Sequence, residues 1–384
     1  MKMKWAISAV LVALFILAMN SSSVAVSTIE VDRVRNKAVL DDRDKQIIDE
    51  FLAEAIRDLV RTRNFTSIAK LRTVILSRQS TQGQYAQQFS ESALTHIQAG
   101  FQQAEELRPE ERKTNVIINL LILVDGLEDA KLIDLSVKRL KDPNTVVRYW
   151  AVHSLTKPAV IQQLSAGTPS NSTSVATIAE QLKELVETSS PDIIALMARF
   201  AAAVNIPQGE ELLLQIAAAR IKTYADWTVK YELLDIGILK LLESKIMLPS
   251  QDPGAPAPTT SGSRPAIARR FAQLYSYAIQ RYIKGNDMGI LNDTQRQRLA
   301  SVLVEVEEKS VSRLLGRQQV AIRRAIERTS MTALRDEHNR LLGDGTRPGQ
   351  LPSTLGFDYS TSPTGPKRTA PLPLPDPPRK PVNQ

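Results

Sequence analysis

The chain has 384 residues, 43% of them hydrophobic and 23% charged, with a net charge of +8 and no cysteine. That length is enough for one or more ordinary cores. The absence of cysteine excludes disulfides, thiolate zinc sites and a lipid-modified cysteine anchor, and the scattered histidines, His96, His153 and His338, form no pair with metal-ligand spacing.

The N-terminus reads as an export signal. Lys2 and Lys4 form a positive n-region, Trp5 to Met19 is uncharged with only Ser8 polar, and Ser23-Val24-Ala25 offers small residues for cleavage. A bilayer-spanning helix needs about 20 apolar residues, so residues 1–25 are expected to be a cleaved signal. An uncleaved anchor running through Val26 is the alternative. Both place the body outside the cytosol: periplasmic, in the cell envelope or secreted.

Charge is unevenly distributed. Val26 to Ser263 carries 27 basic and 30 acidic residues, whereas Arg264 to Gly343 carries 15 basic and 8 acidic. The asymmetry predicts two helical bodies. Residues 249–264, with Pro249, Pro253, Pro256 and Pro258, read as the linker between them.

Residues 26–40 are polar and expected to be extended, and Gly167 to Ser174 reads as a loop. Almost all the rest is helical. Ile47, Ile48, Phe51, Leu52, Ala55, Ile56 and Leu59 recur at spacings of three and four within Asp41–Arg63. Further helices are expected at Thr66–Arg78, Gln82–Glu106, Pro109–Leu127, Ala130–Leu140, Thr145–Leu155, Val175–Glu187, Pro191–Val204, Gly209–Lys222 and Asp226–Ser244. In residues 265–343, Phe271, Leu274, Tyr275, Ala278 and Tyr282 form one core-facing stripe of a helix over Pro265–Ile283. Leu291–Leu315 and Arg317–Leu342 complete a small basic unit. Strand signals are nearly absent. Residues 344–384, with Pro371-Leu-Pro373-Leu-Pro375-Asp-Pro377-Pro378, read as a disordered tail of polyproline II character. That run could dock in an aromatic groove, but a spacer is the expected role.

The most informative stretch is Leu140 to Leu155. Asp142-Pro143-Asn144 ends one helix and caps the next. Val146, Val147, Trp150, Ala151 and Leu155 supply its buried face, and Arg148 stands six residues after Asp142. This turn resembles the HEAT-repeat family of stacked helix pairs, about 40 residues each. Weaker echoes occur at Ser190-Pro191-Asp192 and at Trp227 to Tyr231. The resemblance implies an all-α solenoid over 41–248, and a bond between Asp142 and Arg148 of neighbouring repeats. A local capping pair, and an irregular helical bundle, are the alternatives.

If the chain stays helical across Gly316, about 100° per residue brings Arg313, Arg317, Arg324, Arg328 and Arg335 into one sector of about 60°. Such a stripe would suit an anionic polymer or lipid surface; an ordinary solvated face is the alternative. No nucleic-acid module is recognisable. No nucleophile elbow, zinc motif, phosphate loop or calcium loop occurs, and no cofactor, metal or catalytic residue is expected. Two acidic clusters, Asp125/Glu128/Asp129 and Glu105/Glu106/Glu110/Glu111, fall at helix boundaries, where caps explain them. The chain therefore reads as an exported noncatalytic scaffold for a protein partner. A membrane-tethered structural protein is the first alternative. An enzyme with two carboxylates about 5 to 10 Å apart is the second.

Overall fold

The computed structural model describes residues 28–165, 169–248, 263–360 and 366–378. The signal-like segment and most of the proposed linker lie outside them. Among the described residues the fold is all-α, with only an isolated bridge between Gly343 and Pro348 in place of strands. The chain divides into two compact units, Met1–Leu135 and Ser136–Gln384.

The first unit contains α1 (Ile29–Val34), α2 (Asp42–Arg61), α3 (Phe65–Leu76), α4 (Gly83–Glu105) and α5 (Glu110–Leu127). Helix α1 corrects the extended segment expected over 26–40; its Val31 and Val34 are fully buried, which two apolar residues among charges do not announce. Helix α2 begins where its chemistry demands. Asp41 Oδ1 accepts from the Asp44 amide at 2.8 Å, and Asp44 Oδ2 accepts from the Asp41 amide at 3.2 Å. The predicted stripe is buried against α4 from Ile48 to Leu59, with Ile47 half-buried, while α3 packs on α5. The acidic clusters behave as boundary groups: Asp129 accepts from the Lys131 amide, and Glu105 pairs with Lys113 at 2.7 Å.

The second unit continues with α6 (Ile133–Val137, which begins three residues before the division), α7 (Thr145–Leu155), α8 (Pro158–Ser165), α9 (Pro169–Leu185), α10 (Pro191–Ala203), α11 (Pro207–Ala225), α12 (Leu234–Met247) and α13 (Ser263–Asp287). It closes with α14 (Asp293–Val306), α15 (Ser312–Leu314), α16 (Ala321–Glu327), α17 (Met331–Leu342) and α18 (Gln350–Leu355). Helix α9 starts at Pro169, which corrects the loop expected up to Ser174; proline is well placed in a first turn. From α9 onward, helices pack on the next but one and in part on the next: α9 on α11, α10 on α11 and α12, α11 on α13, α12 on α13 and α14.

Two expected divisions fail. The basic helices after residue 264 are not a separate body, because α13 is buried against α11, α12, α14, α17 and α18. Charge asymmetry is a surface property and does not report where apolar faces meet. The tail is not disordered over 344–360 and 366–378 either. It folds into α18 and an extended segment against α13.

The turn that returns the tail to the body is sterically specified. Gly343 ends α17 with φ +107°, and a Cβ there would run into the Thr369 carbonyl oxygen. Gly343→Ala combines that clash with left-handed strain. We expect a loss of about 2 kcal/mol or more in urea denaturation, with helicity retained at low denaturant.

Candidate functional site: a cradle for an extended proline-rich segment

Helix α13 positions the site. Its apolar stripe behaves as predicted: Phe271, Leu274, Tyr275 and Ala278 are fully buried. Gln273, Tyr277, Gln280 and Lys284 form a second stripe on the same helix, at i, i+4, i+7 and i+11. Residues 371–376 run along it.

The contacts pair every amide and carbonyl from Leu372 to Pro375. Gln273 Oε1 accepts from the Leu372 amide at 2.8 Å, and its Nε2 donates to the Leu372 carbonyl at 3.2 Å. Gln280 Oε1 accepts from the Leu374 amide at 2.7 Å, and its Nε2 donates to the Leu372 carbonyl at 3.3 Å. Tyr277 Oη donates to the Pro373 carbonyl at 3.4 Å, Lys284 Nζ to the Leu374 carbonyl at 2.6 Å, and Trp227 Nε1 to the Pro375 carbonyl at 2.9 Å. Lys284 also pairs with Asp376 at 2.7 Å, which holds that carboxyl below its usual range. Burial pushes the Tyr277 phenol up, so it remains a donor.

The alternation of the segment explains the pattern. Prolines 371, 373 and 375 have no N–H, and the two amides left, at Leu372 and Leu374, are the two that the glutamines accept. Pro371 and Leu374 are buried and Pro377 is half-buried, a spacing of three that matches polyproline II. Leu372, Pro373 and Pro375 are exposed.

A buried ionic cluster supports the wall that carries Trp227. Arg220 donates from Nε and Nη2 to the two carboxylate oxygens of fully buried Asp235, at 2.7 and 2.9 Å. Tyr224 Oη donates to the same carboxylate at 2.8 Å, and Arg220 Nη2 also donates to the Lys230 carbonyl. This fastens a loop in which Trp227 and Tyr231 both adopt left-handed backbone, φ +57° and +56°. The Arg281 guanidinium lies 5.0 Å from the Trp227 ring centroid. Trp227 to Tyr231 is thus loop, not the helix expected from Asp226, and its echo of the Val147-Arg148-Tyr149 sequence is not structural.

A polar thread leads from the cradle into the core. Gln280 Nε2 also donates to Ser276 Oγ at 2.8 Å, and Ser276 Oγ meets His338 Nε2 at 2.8 Å.

The residues singled out from sequence fall elsewhere. Helix α7 has the expected bounds, and Asn144 Oδ1 caps it by accepting from the Val146 and Val147 amides. Of the expected face, Val147, Ala151 and Leu155 are buried, but Val146 is exposed and Trp150 half-buried, while Val152 and Ser154 are buried in addition. Arg148 Nη1 donates to the Asp142 and Pro143 carbonyls at 2.8 and 3.0 Å, and the Asp142 carboxylate accepts from the Asn144 amide. The two residues therefore stitch a single turn and form no side-chain ion pair with each other. The arginines do not share a helix. Gly316, φ +65°, and Thr329, φ +52°, break the chain, so Arg313 lies on α15, Arg317 in a turn, Arg324 on α16, Arg328 just after it and Arg335 on α17. Arg313 pairs with Glu243 and Arg335 with Asp287; Arg317, Arg324 and Arg328 are exposed, with no ion pair among the described residues.

Sequence reasoning missed Gln273, Gln280, Lys284 and Trp227 as a group. The available signal was two glutamines seven residues apart on α13, in line with Tyr277 and Lys284 and beside the apolar stripe. No group of three His, Asp or Glu residues suited to a metal occurs among the described residues, and no described helix is long and apolar enough to cross a membrane.

Asp235→Ala leaves the Arg220 guanidinium buried without its carboxylate. We expect a loss of about 3 to 5 kcal/mol in denaturant unfolding. A second expectation concerns pH. Burial holds the His338 imidazole below its ordinary value of 6.5, so the fold favours the neutral ring. Below pH 6.5 the unfolded chain takes up a proton that the folded chain resists, so this contribution is complete above 6.5 and is lost as pH falls toward the depressed value. His338→Gln should flatten the acid limb of stability between pH 7.5 and 5.5; an unchanged slope would remove His338 as its source.

Comparison of the chain with protein-family models, with curated proteins and with solved structures returned no match.

Proposed function

We propose that this chain is an exported, noncatalytic interaction protein whose helical hairpins hold a protein partner. The observation that carries this reading is the cradle. Side chains from α13 and the α11–α12 loop satisfy the amides and carbonyls of an extended segment from Leu372 to Pro375. That is machinery for holding a chain: each of these side chains meets the peptide through a hydrogen bond to its main chain.

Other observations support the scaffold. Packing of successive helices on the next but one, from α9 to α14, together with next-neighbour packing of α10 on α11, α12 on α13 and α13 on α14, supports an arrangement of stacked α-hairpins. The Asp142 to Arg148 turn keeps the cap of the HEAT-like resemblance, though its bonds stay within one repeat. Export rests on Lys2, Lys4 and the Trp5–Met19 run. Contact with an anionic envelope polymer or lipid is an accessory part of this reading, carried by Arg317, Arg324 and Arg328.

Two measurements test the proposal. Mass spectrometry of the mature N-terminus should find a start near Val26; an intact Met1 would replace the free exported form with a tethered one. Crosslinking in the native envelope should return a recurrent protein neighbour through the hairpin surfaces. Absence of any such neighbour, or turnover of an envelope polysaccharide by the purified chain, would overturn the scaffold reading.

A further inference from the structure

Residues 371–376 occupy the α13 cradle as a ligand would. Only Pro371 and Leu374 bury their side chains there, while Leu372, Pro373, Pro375 and Asp376 are exposed. The cradle reads main-chain atoms, the absence of N–H groups at alternate positions, one apolar side chain and one carboxylate. Nothing in that set is private to this tail. Any segment of the pattern Pro-x-Pro-apolar-Pro-acid presents the same donors, acceptors and charge, with its extended shape already favoured by proline.

We propose that the cradle is a recognition site for proline-rich, acid-bearing segments of a partner protein, and that the chain's own tail holds it closed until such a segment displaces it. The proposal rests on the scaffold reading above in one respect. A tethered tail acts at an effective concentration of about millimolar, so a free segment competes poorly. A partner already held on the helical hairpins would supply its segment under the same tethered condition.

The tail's attachment is suited to exchange. Its one ion pair among the described residues, Lys284–Asp376, is solvent-exposed on the Asp376 side and contributes little to stability. From Leu372 to Pro375 its hydrogen bonds run to side chains of α13 and of Trp227, so release of that stretch need not unpair any helical backbone bond. Lys284 also sets the charge preference, since Asp287, the nearest acid on the same helix, is paired with Arg335.

The test uses the full chain and a fluorescein-labelled peptide with the sequence of residues 367–378. Leu374→Asp removes the tail's buried anchor and leaves the cradle intact. By anisotropy, this variant should bind the peptide at least tenfold more tightly than the parent does. Adding Gln280→Ala or Lys284→Ala should weaken that binding severalfold, and a peptide with alanine in place of the prolines at 371, 373 and 375 should lose it. Asp376→Lys alters only an exposed side chain and guards against misfolding of the first variant; it should give a smaller gain of the same sign. If the variants keep parental circular dichroism and bind no more tightly than the parent, the cradle is a permanent structural clasp and the proposal fails. It also fails if Leu374→Asp unfolds the chain and Asp376→Lys gives no gain, or if light scattering shows tail exchange between copies in place of peptide binding. None of these outcomes touches the crosslinking result, so the scaffold reading stands or falls separately.

Discussion

The second unit is organised around one constraint: α13 is buried on nearly every side, yet it carries polar groups around its circumference. A buried polar atom without a partner costs about 1 to 3 kcal/mol, and several neighbouring elements answer one, although Arg281 Nε and Nη1 have no hydrogen-bond partner among the described residues. Tyr275 Oη donates to the Leu303 carbonyl of α14, Ser276 meets His338 of α17, and Arg269 donates to the Asp358 carbonyl beyond α18. Gln273, Gln280 and Lys284 are answered by the tail. The order in which these elements surround α13 therefore follows from its hydrogen-bond inventory as much as from its apolar stripe.

The same accounting explains the buried charges. Arg220 and Asp235 neutralise one another with two parallel bonds, and Tyr224, whose phenol burial pushes well up, adds a third donor to the carboxylate. Glu307 begins a π-helical turn, Glu307–Val311, that interrupts the helix expected to run unbroken to Leu315. Burial raises its carboxyl, which accepts from the Ile322 and Arg323 amides at 2.7 and 3.0 Å and so caps the start of α16. A widened turn here re-aims one side chain to serve a distant helix end.

Local chemistry was legible in the sequence where neighbours in the chain decide the outcome. The helix beginning at Asp41, most of its apolar stripe, the bounds of α7 and the α13 core stripe were all readable. What could not be read depends on residues far apart. Polyproline II has no internal hydrogen bonds, so the order of residues 371–376 rests on glutamines about a hundred positions away. The arginine stripe required an unbroken helix, and its failure lies in left-handed residues at Gly316 and Thr329, of which only the glycine carries a visible mark. Trp227 looked helical because its neighbours Val229 and Tyr231 are apolar, whereas its backbone is set by Arg220 reaching the Lys230 carbonyl. The cradle itself was half visible: its proline-rich occupant stood out, but the amides that receive it did not.

Prolines at alternate positions have one more consequence. An ordinary extended strip laid across a helical body would turn a row of amide donors outward, a template on which a neighbouring molecule could add a strand. From Pro371 to Pro375 there is no such row, because three positions have no hydrogen to offer and the other two are directed at α13. The chain thus seals the polar stripe of α13 with a lath whose outer side offers no row of amide donors for intermolecular sheet growth.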